Sequence, residues 1–355
     1  MARKKSFILF NRVSLRDLSL FTRSLSATIS AGLPIIKALS IIKDQSSNEY
    51  FRKIITDIIK RLEEGERFSG ALSHYPKVFN KVYIASIQAA EASGKFDAVL
   101  KDLADTLEKE YKLDSSIKGA VAYPLFIVVA MVATAIILLV VVVPKIETIF
   151  QESEISLPLA TRMLIATGNF FNHFWYLVLA ILVGFGIWIR YFIVSPQGFV
   201  VYSKVLINTP LIKELFIDVY MTRFSKTLGM LINAGVPIVD AVKLVGYVIN
   251  NAVYYKILKN VAFQLERGVP MSAPLSKAKE FPAIVSQMVA VGEQTGKLDE
   301  ILASLSKFYE EETSRKVTTV SSLLEPILLI IVGGGVGVIV FSIIVPLYQI
   351  AGTIE

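Results

Sequence analysis

The sequence predicts an all-α membrane protein built from two homologous antiparallel helical bundles, expected in the cytoplasm, and three transmembrane helices. Three observations carry that prediction. A polar segment occurs twice. Each copy runs into a long apolar stretch of membrane-spanning length. No segment alternates with the two-residue period of a strand bounded by turn signals.

The repeat is read residue by residue. Ala31-Gly-Leu-Pro34 returns as Ala234-Gly-Val-Pro237, an offset of 203 (234 − 31) that also relates Phe21 to Phe224. Glu91-Ala-Ser-Gly-Lys-Phe-Asp97 returns as Glu293-Gln-Thr-Gly-Lys-Leu-Asp299, at an offset of 202 (293 − 91). Prolines match at both ends of the apolar stretches, Pro124 with Pro326 and Pro144 with Pro346. The expected organisation is an N-terminal arm over 1–20, a first bundle over 21–120 and a span over 121–143. A connection over 144–173 and a span over 174–194 follow. A second bundle over 195–322, a span over 323–348 and a tail over 349–355 complete the chain.

The helices are justified in chain order. Ser14-Leu-Arg-Asp17 has the form of a capping box. Leu18, Phe21 and Leu25 then recur at helical spacing. Gly32 and Pro34 stop that helix, since glycine supplies a left-handed turn and proline cannot continue one. Ile35, Leu39 and Ile42 begin the next. Asn48 restarts the chain, Phe51, Ile54, Ile55, Ile58 and Leu62 form an amphipathic face, and Gly65 ends it. A helix over 79–92 closes at Gly94, and one over 97–113 follows. The second bundle repeats these breaks at Gly235 with Pro237, at Gly268 and at Gly296. The short gap between each bundle's last helix and its apolar stretch predicts one continuous helix.

Composition and charge bound the function. The chain has 355 residues, of which 54% are hydrophobic and 19% charged; its mean hydropathy is +0.57. Part of it is therefore membrane and part solvated. There is no cysteine, which removes disulfides and thiolate metal sites. Residues 1–120 hold 20 basic and 14 acidic groups, spread rather than clustered. That excess fits anionic lipid headgroups beside a span, and no nucleic acid is expected as a partner. Lys112, Lys118, Arg190, Lys204, Arg315 and Lys316 flank the spans on one side, whereas the 144–173 connection has only Lys145 and Arg162. Both bundles and the N-terminus are thus expected in the cytoplasm, with the connection and C-terminus outside. Tyr123, Trp175, Tyr176, Trp188, Tyr191 and Tyr348 stand where an interfacial aromatic belt would place them. The N-terminus has too short an apolar run for a cleavable signal.

The candidate sites are few. Gly94-Lys95 and Gly296-Lys297 are not a phosphate loop, because Phe96 and Leu298 follow where Ser or Thr is required. No catalytic residue, cofactor or metal is expected. Glu91, Gly94 and Asp97, with Glu293, Gly296 and Asp299, surround the same helix break in both copies. They read either as caps or as a polar surface for a partner or divalent ion. His74 reads as a turn residue and His173 as an interfacial one. Tyr123-Pro124 and Glu325-Pro326 open the first and third spans. Glu325 fits either a buried contact or a headgroup-level acid. Gly333 and Gly337 read as a face for close helix packing, with local looseness of the helix as the alternative.

Taken together, Ala-Gly-x-Pro, Glu-x-x-Gly-Lys-x-Asp, Ala122-Tyr-Pro124 and Leu324-Glu-Pro326 resemble a known family. This is the inner-membrane platform family of type II secretion and type IV pilus assembly, the general secretion pathway protein F type. The resemblance covers roughly 21–144 and 224–348. It implies a platform rather than an enzyme. A separate hexameric ATPase would dock on the cytoplasmic domains, and its movement would help pass pilin or pseudopilin subunits into a fibre. Other inner-membrane assembly proteins and further copies of the chain would be neighbours. The competing class is a transporter or channel, since duplicated modules with broken spans occur there too; a receptor is the third.

Overall fold

Ser14 opens the first helix by a reciprocal pair of hydrogen bonds. In the computed structural model, which describes residues 12–137, 159–210 and 212–352, the Asp17 N–H donates to Ser14 Oγ at 3.1 Å and the Ser14 N–H to Asp17 Oδ2 at 3.2 Å. The capping box read from the sequence is therefore formed. The first module contains α1 (Leu15–Ser30), α2 (Ile35–Gln45), α3 (Glu49–Glu63), α4 (Phe68–Ser73) and α5 (Lys81–Ser93), then α6 (Phe96–Ile137). Next come α7 (Leu159–Val194) and α8 (Pro196–Asn208). The second module repeats the first as α9 (Lys213–Asn233), α10 (Ile238–Val248), α11 (Ala252–Leu265), α12 (Ser272–Ser276) and α13 (Ala283–Thr295), then α14 (Leu298–Gly352). Among the described residues there is no strand.

Two compact units contain these elements. The first, comprising residues 1–115 and 199–314, holds both modules; the second comprises 116–198 and 315–355. Within the first unit each module is centred on an aromatic trio. Phe21, Phe51 and Phe79 stand 5.2, 5.9 and 6.5 Å apart by ring centroid and are almost fully buried. Their counterparts are Phe224, Tyr254 and Phe281, with Phe281 5.3 Å from each of the other two. Each such ring contributes on the order of 1.5–3 kcal/mol by burial. Tyr254 keeps its hydroxyl satisfied by donating to the Glu280 carbonyl at 2.8 Å, and burial pushes that phenol well above its ordinary range.

The breaks between helices follow from backbone chemistry. Gly32 and Gly235 adopt φ +83° and +89°, and the residue after each donates back to a carbonyl five positions earlier, Leu33 to Thr28 and Val236 to Leu231. That is the left-handed helix stop that glycine alone makes at little cost. Pro34 and Pro237 then stand at the N-caps of α2 and α10, where no N–H is needed. The short α4 and α12 were not anticipated from periodicity, since six and five residues are too few to show any. The two modules also touch each other, α5 against α9 and α10.

In the second unit the burial pattern is inverted. Phe126 is 70% exposed and Ile330 74%, although the surrounding segments are uncharged. Three helices, α6, α7 and α14, are long and apolar enough to cross a bilayer. α6 runs 42 residues and α14 55, each uninterrupted from its module into its apolar stretch, as the short gaps predicted. At about 1.5 Å per residue α14 is on the order of 80 Å long, more than twice a hydrocarbon core of about 30 Å. Pro124 and Pro326 lie within these helices. α7 is already helical from Leu159, so part of the expected 144–173 connection is helix, and it kinks at Phe174 (φ −119°, ψ 15°). Pro144, the connection up to residue 158, the arm up to residue 11 and residues 353–355 lie outside the described residues.

Candidate functional site

Glu91 lies on α5, and its carboxylate reaches across the module to the start of α4. It accepts from the Phe68 N–H at 2.8 Å, the Ser69 N–H at 3.4 Å and the Ser69 hydroxyl. Glu293 on α13 does the same at α12, accepting from the Met271 N–H at 2.5 Å, the Ser272 N–H at 3.1 Å and the Ser272 hydroxyl at 2.6 Å. A carboxylate aimed at the free amides of a helix N-terminus satisfies donors that have no helical partner and opposes the helix dipole. The repeated glutamate is therefore a cap, for a helix some twenty residues upstream rather than for the one that follows.

Asp97 and Asp299 are separate from it. Each stands in the first turn of the next helix, α6 and α14, where a negative charge is favourable. Between them Gly94 and Gly296 take φ +70° and +71° as the left-handed C-caps of α5 and α13. Lys297 turns aside to Glu300 at 3.1 Å. Glu91, Glu293, Gly94 and Gly296 thus cap helices, and Asp97 and Asp299 add first-turn charge. No group of three or more metal-ligating side chains occurs among the described residues. His74 pairs with Glu66 at 3.1 Å and Arg61 at 3.0 Å in a surface turn, and His173 stands at the kink in α7, its ring 4.9 Å from Phe174.

The membrane residues are spread along α6 and α14. Tyr123 is exposed and Pro124 half-buried; Glu325 and Pro326 are exposed. A Cβ added at Gly333 or Gly337 would meet nothing within 4 Å. Among the described residues the glycine face is open. Pro346 lies in α14. A cleft of about 490 Å³ is lined by Phe126, Ala130 and Thr134 of α6 and by Ile331 and Gly335 of α14.

The sequence reading did not find the polar contacts that join the modules. Lys109 meets Glu310 at 2.8 Å, and the Thr106 hydroxyl lies 3.9 Å from Met230 Sδ. Within the first module, Arg23 pairs with Asp105 at 2.6 Å and Glu108 at 2.5 Å, and Lys112 together with Arg23 holds the Glu108 carboxyl down at about 2. The repeat counterpart of Arg23 is Lys226. Burial pushes its ammonium down to about 8, with Glu310 opposing the shift. The signal was present in the alignment of the two copies: a basic residue two positions after Phe21 and after Phe224.

Comparison with known proteins agrees with this geometry. The profile of the family described as type II secretion system (T2SS), protein F matches residues 21–144 and 224–346, the two modules with their following spans and well over half of the chain. The chain is 35% identical over 342 residues to a type IV pilus assembly protein PilC of Thermus thermophilus, covering 96% of this chain and 84% of that one. It is 31% identical over 346 residues to the PilC of Myxococcus xanthus, covering 98% and 83%. It is 29% identical over 347 residues to a type II secretion system protein F of Aeromonas hydrophila, covering 97% and 89%. With both modules, all three spans and the duplicated caps falling within these matches, the chain belongs to the type II secretion system protein F family, a family of secretion and pilus platform components rather than of enzymes.

Proposed function

We propose that the chain is the inner-membrane platform that couples a hexameric assembly ATPase to the polymerisation of pilin or pseudopilin subunits. The observation that supports this most directly is the pair α6 and α14. Each is one continuous helix that belongs to a module at one end and to a membrane-spanning stretch at the other. A push on a module is thereby carried along one helix into its apolar stretch. The glycine-lysine turns of both modules are helix caps, which supports a separate motor as the source of the work. In this reading the modules and N-terminus face the cytoplasm and the C-terminus faces outward, which the flanking Lys and Arg support. The open glycine face of α14 meets another copy, a pilin or another inner-membrane assembly protein.

The test uses the full chain in nanodiscs with the assembly ATPase encoded in the same genome. The expected result is a stable complex and a nucleotide turnover rate that changes on binding. Absence of a complex, together with ion flux through the chain in liposomes, would overturn the reading in favour of a transporter.

A further inference from the structure

On the second module, the outer face of α10 and α11 carries three aromatic rings that the fold does not require. Tyr247 and Phe263 are about half exposed, at 51% and 49%. The Tyr255 ring lies 5.2 Å from that of Tyr247. The first module supplies an internal control. At the same offset of 203 (247 − 44), the counterparts on α2 and α3 are Asp44, Arg52 and Lys60, each in the same burial class as its partner. The same helix pair therefore forms with charges at these three positions, and core packing does not explain the rings. Gly246 adds to the contrast. A Cβ there would lie 3.4 Å from Tyr255 Cδ2, so its absence lets that ring lie against α10; its counterpart is Lys43.

The rings sit in a groove of about 540 Å³, within the usual range for a ligand site. Lys243, Lys256 and Lys259 line it, against one carboxylate, Glu266, which is paired to Lys243 at 2.6 Å. Lys81 from the first module stands 4.4 Å over the Tyr247 ring, and Arg267 4.1 Å over that of Phe263. The Tyr255 hydroxyl donates to the Tyr247 oxygen, and with Lys81 and Lys259 this holds the Tyr247 phenol below its ordinary range. The groove runs along the C-terminal half of α10 and along α11 to its C-cap, where the amides are engaged in the helical ladder. It thus lacks the free backbone N–H groups that cradle phosphate, and its recognition is by rings and ammonium groups.

We propose that this face docks an acidic peptide segment of a partner protein, with an aromatic or long aliphatic side chain of that segment held between Tyr247, Tyr255 and Phe263 and its carboxylates met by Lys256 and Lys259. Buried rings anchor such contacts and basic groups around them set orientation. The proposal goes beyond the platform reading and holds whichever component supplies the segment.

The experiment uses the full chain in zwitterionic nanodiscs and a fluorescein-labelled random copolymer of glutamate and tyrosine, read by anisotropy, with polyglutamate of equal length for comparison. The decisive variant, Y247D/Y255R/F263K, installs the residues with which the first module already folds. It adds one positive charge net, so any loss of binding comes from the lost rings. The expected result is copolymer binding about tenfold tighter than polyglutamate, weakened about tenfold in the triple variant with its thermal transition unchanged. K256Q/K259Q weakens binding several-fold and flattens its salt dependence. Should the triple variant lose its transition, F263K alone carries the same comparison. Equal binding of polyglutamate, binding unaffected by the ring substitutions, or displacement by ATP would overturn the proposal. So would a changed oligomeric state in the triple variant, which assigns the face to a second copy. Quenching of a dye on F263C by spin-labelled lipid would overturn it as well, because the face would then lie on the membrane.

Discussion

Glu91 and Glu293 show how a single side chain can hold a module together. Each closes two free amides and a serine hydroxyl at the start of a helix too short to be stable alone. Replacing either by alanine leaves those donors unpaired and should cost about 1–2 kcal/mol, with glutamine losing less because it keeps one acceptor. The measurement is thermal unfolding of the full chain, where that cost lowers the midpoint by a few degrees. A variant that leaves the midpoint unchanged would mean that the glutamates are not caps. Lys226 makes a second residue-scale prediction. An ammonium whose folded-state pKa is about 8, against an ordinary 10.5, is penalised wherever it remains charged. The penalty is fully present below about pH 8 and fades as pH rises toward 10.5, the interval in which the folded chain has released the proton and the unfolded chain has not. Lys226→Met removes it, and is expected to stabilise the protein by about 1–2 kcal/mol at pH 7 after allowance for partial solvent screening. The advantage over the parent chain should shrink between pH 8 and 10. A constant difference across that range would remove the desolvation account.

At the scale of helices, what the sequence made legible was local. The capping box at Ser14, the stops at Gly32 and Gly235, the left-handed ends at Gly94 and Gly296 and the apolar stretches in α6 and α14 depend on neighbours within a few residues. α4 and α12 were not legible, because they exist by contact with Glu91 and Glu293 across the module rather than by their own period. The aromatic groove was missed for another reason: exposed rings in a helix face resemble core residues until the two copies are compared. The same distinction between local and distant contacts governs the glycines. Gly296→Ala forces a side chain into φ +71° and is expected to cost about 1–2 kcal/mol, read as a lower unfolding midpoint. Gly333 and Gly337 are ordinary helical positions with open space around them. Leucine at both should leave the unfolding midpoint of the isolated chain within about 2 °C of the parent, since helix propensity improves and nothing clashes. Native gels should nevertheless lose the larger complexes that form through that face. Unchanged complexes would show that the glycines pack against nothing.

For the molecule as a whole, duplication sets a geometric condition. Two modules that fold alike and belong to a single compact unit are expected on the same side of the bilayer. Between them lie α6 and α7, both long and apolar enough to cross a bilayer, as is α14. Lys112, Lys118, Arg190, Lys204, Arg315 and Lys316 flank these stretches, and the positive-inside rule predicts that the side they mark is the cytoplasm. The absence of cysteine makes the arrangement directly measurable. Lys60→Cys on α3 and Asn260→Cys on α11 occupy exposed positions, one in each module. A membrane-impermeant maleimide should leave both unlabelled in intact spheroplasts and label both in inverted vesicles, to within about twofold of each other. Labelling of the two from opposite faces would break the pairing of the modules, and with it the premise that one motor acts on both. Labelling of both from outside would keep the pairing but reverse the orientation, removing the motor from reach. Only the cytoplasmic outcome lets a single nucleotide-driven partner work on two helices that each continue, past the one ladder bond that Pro124 or Pro326 omits, into an apolar stretch.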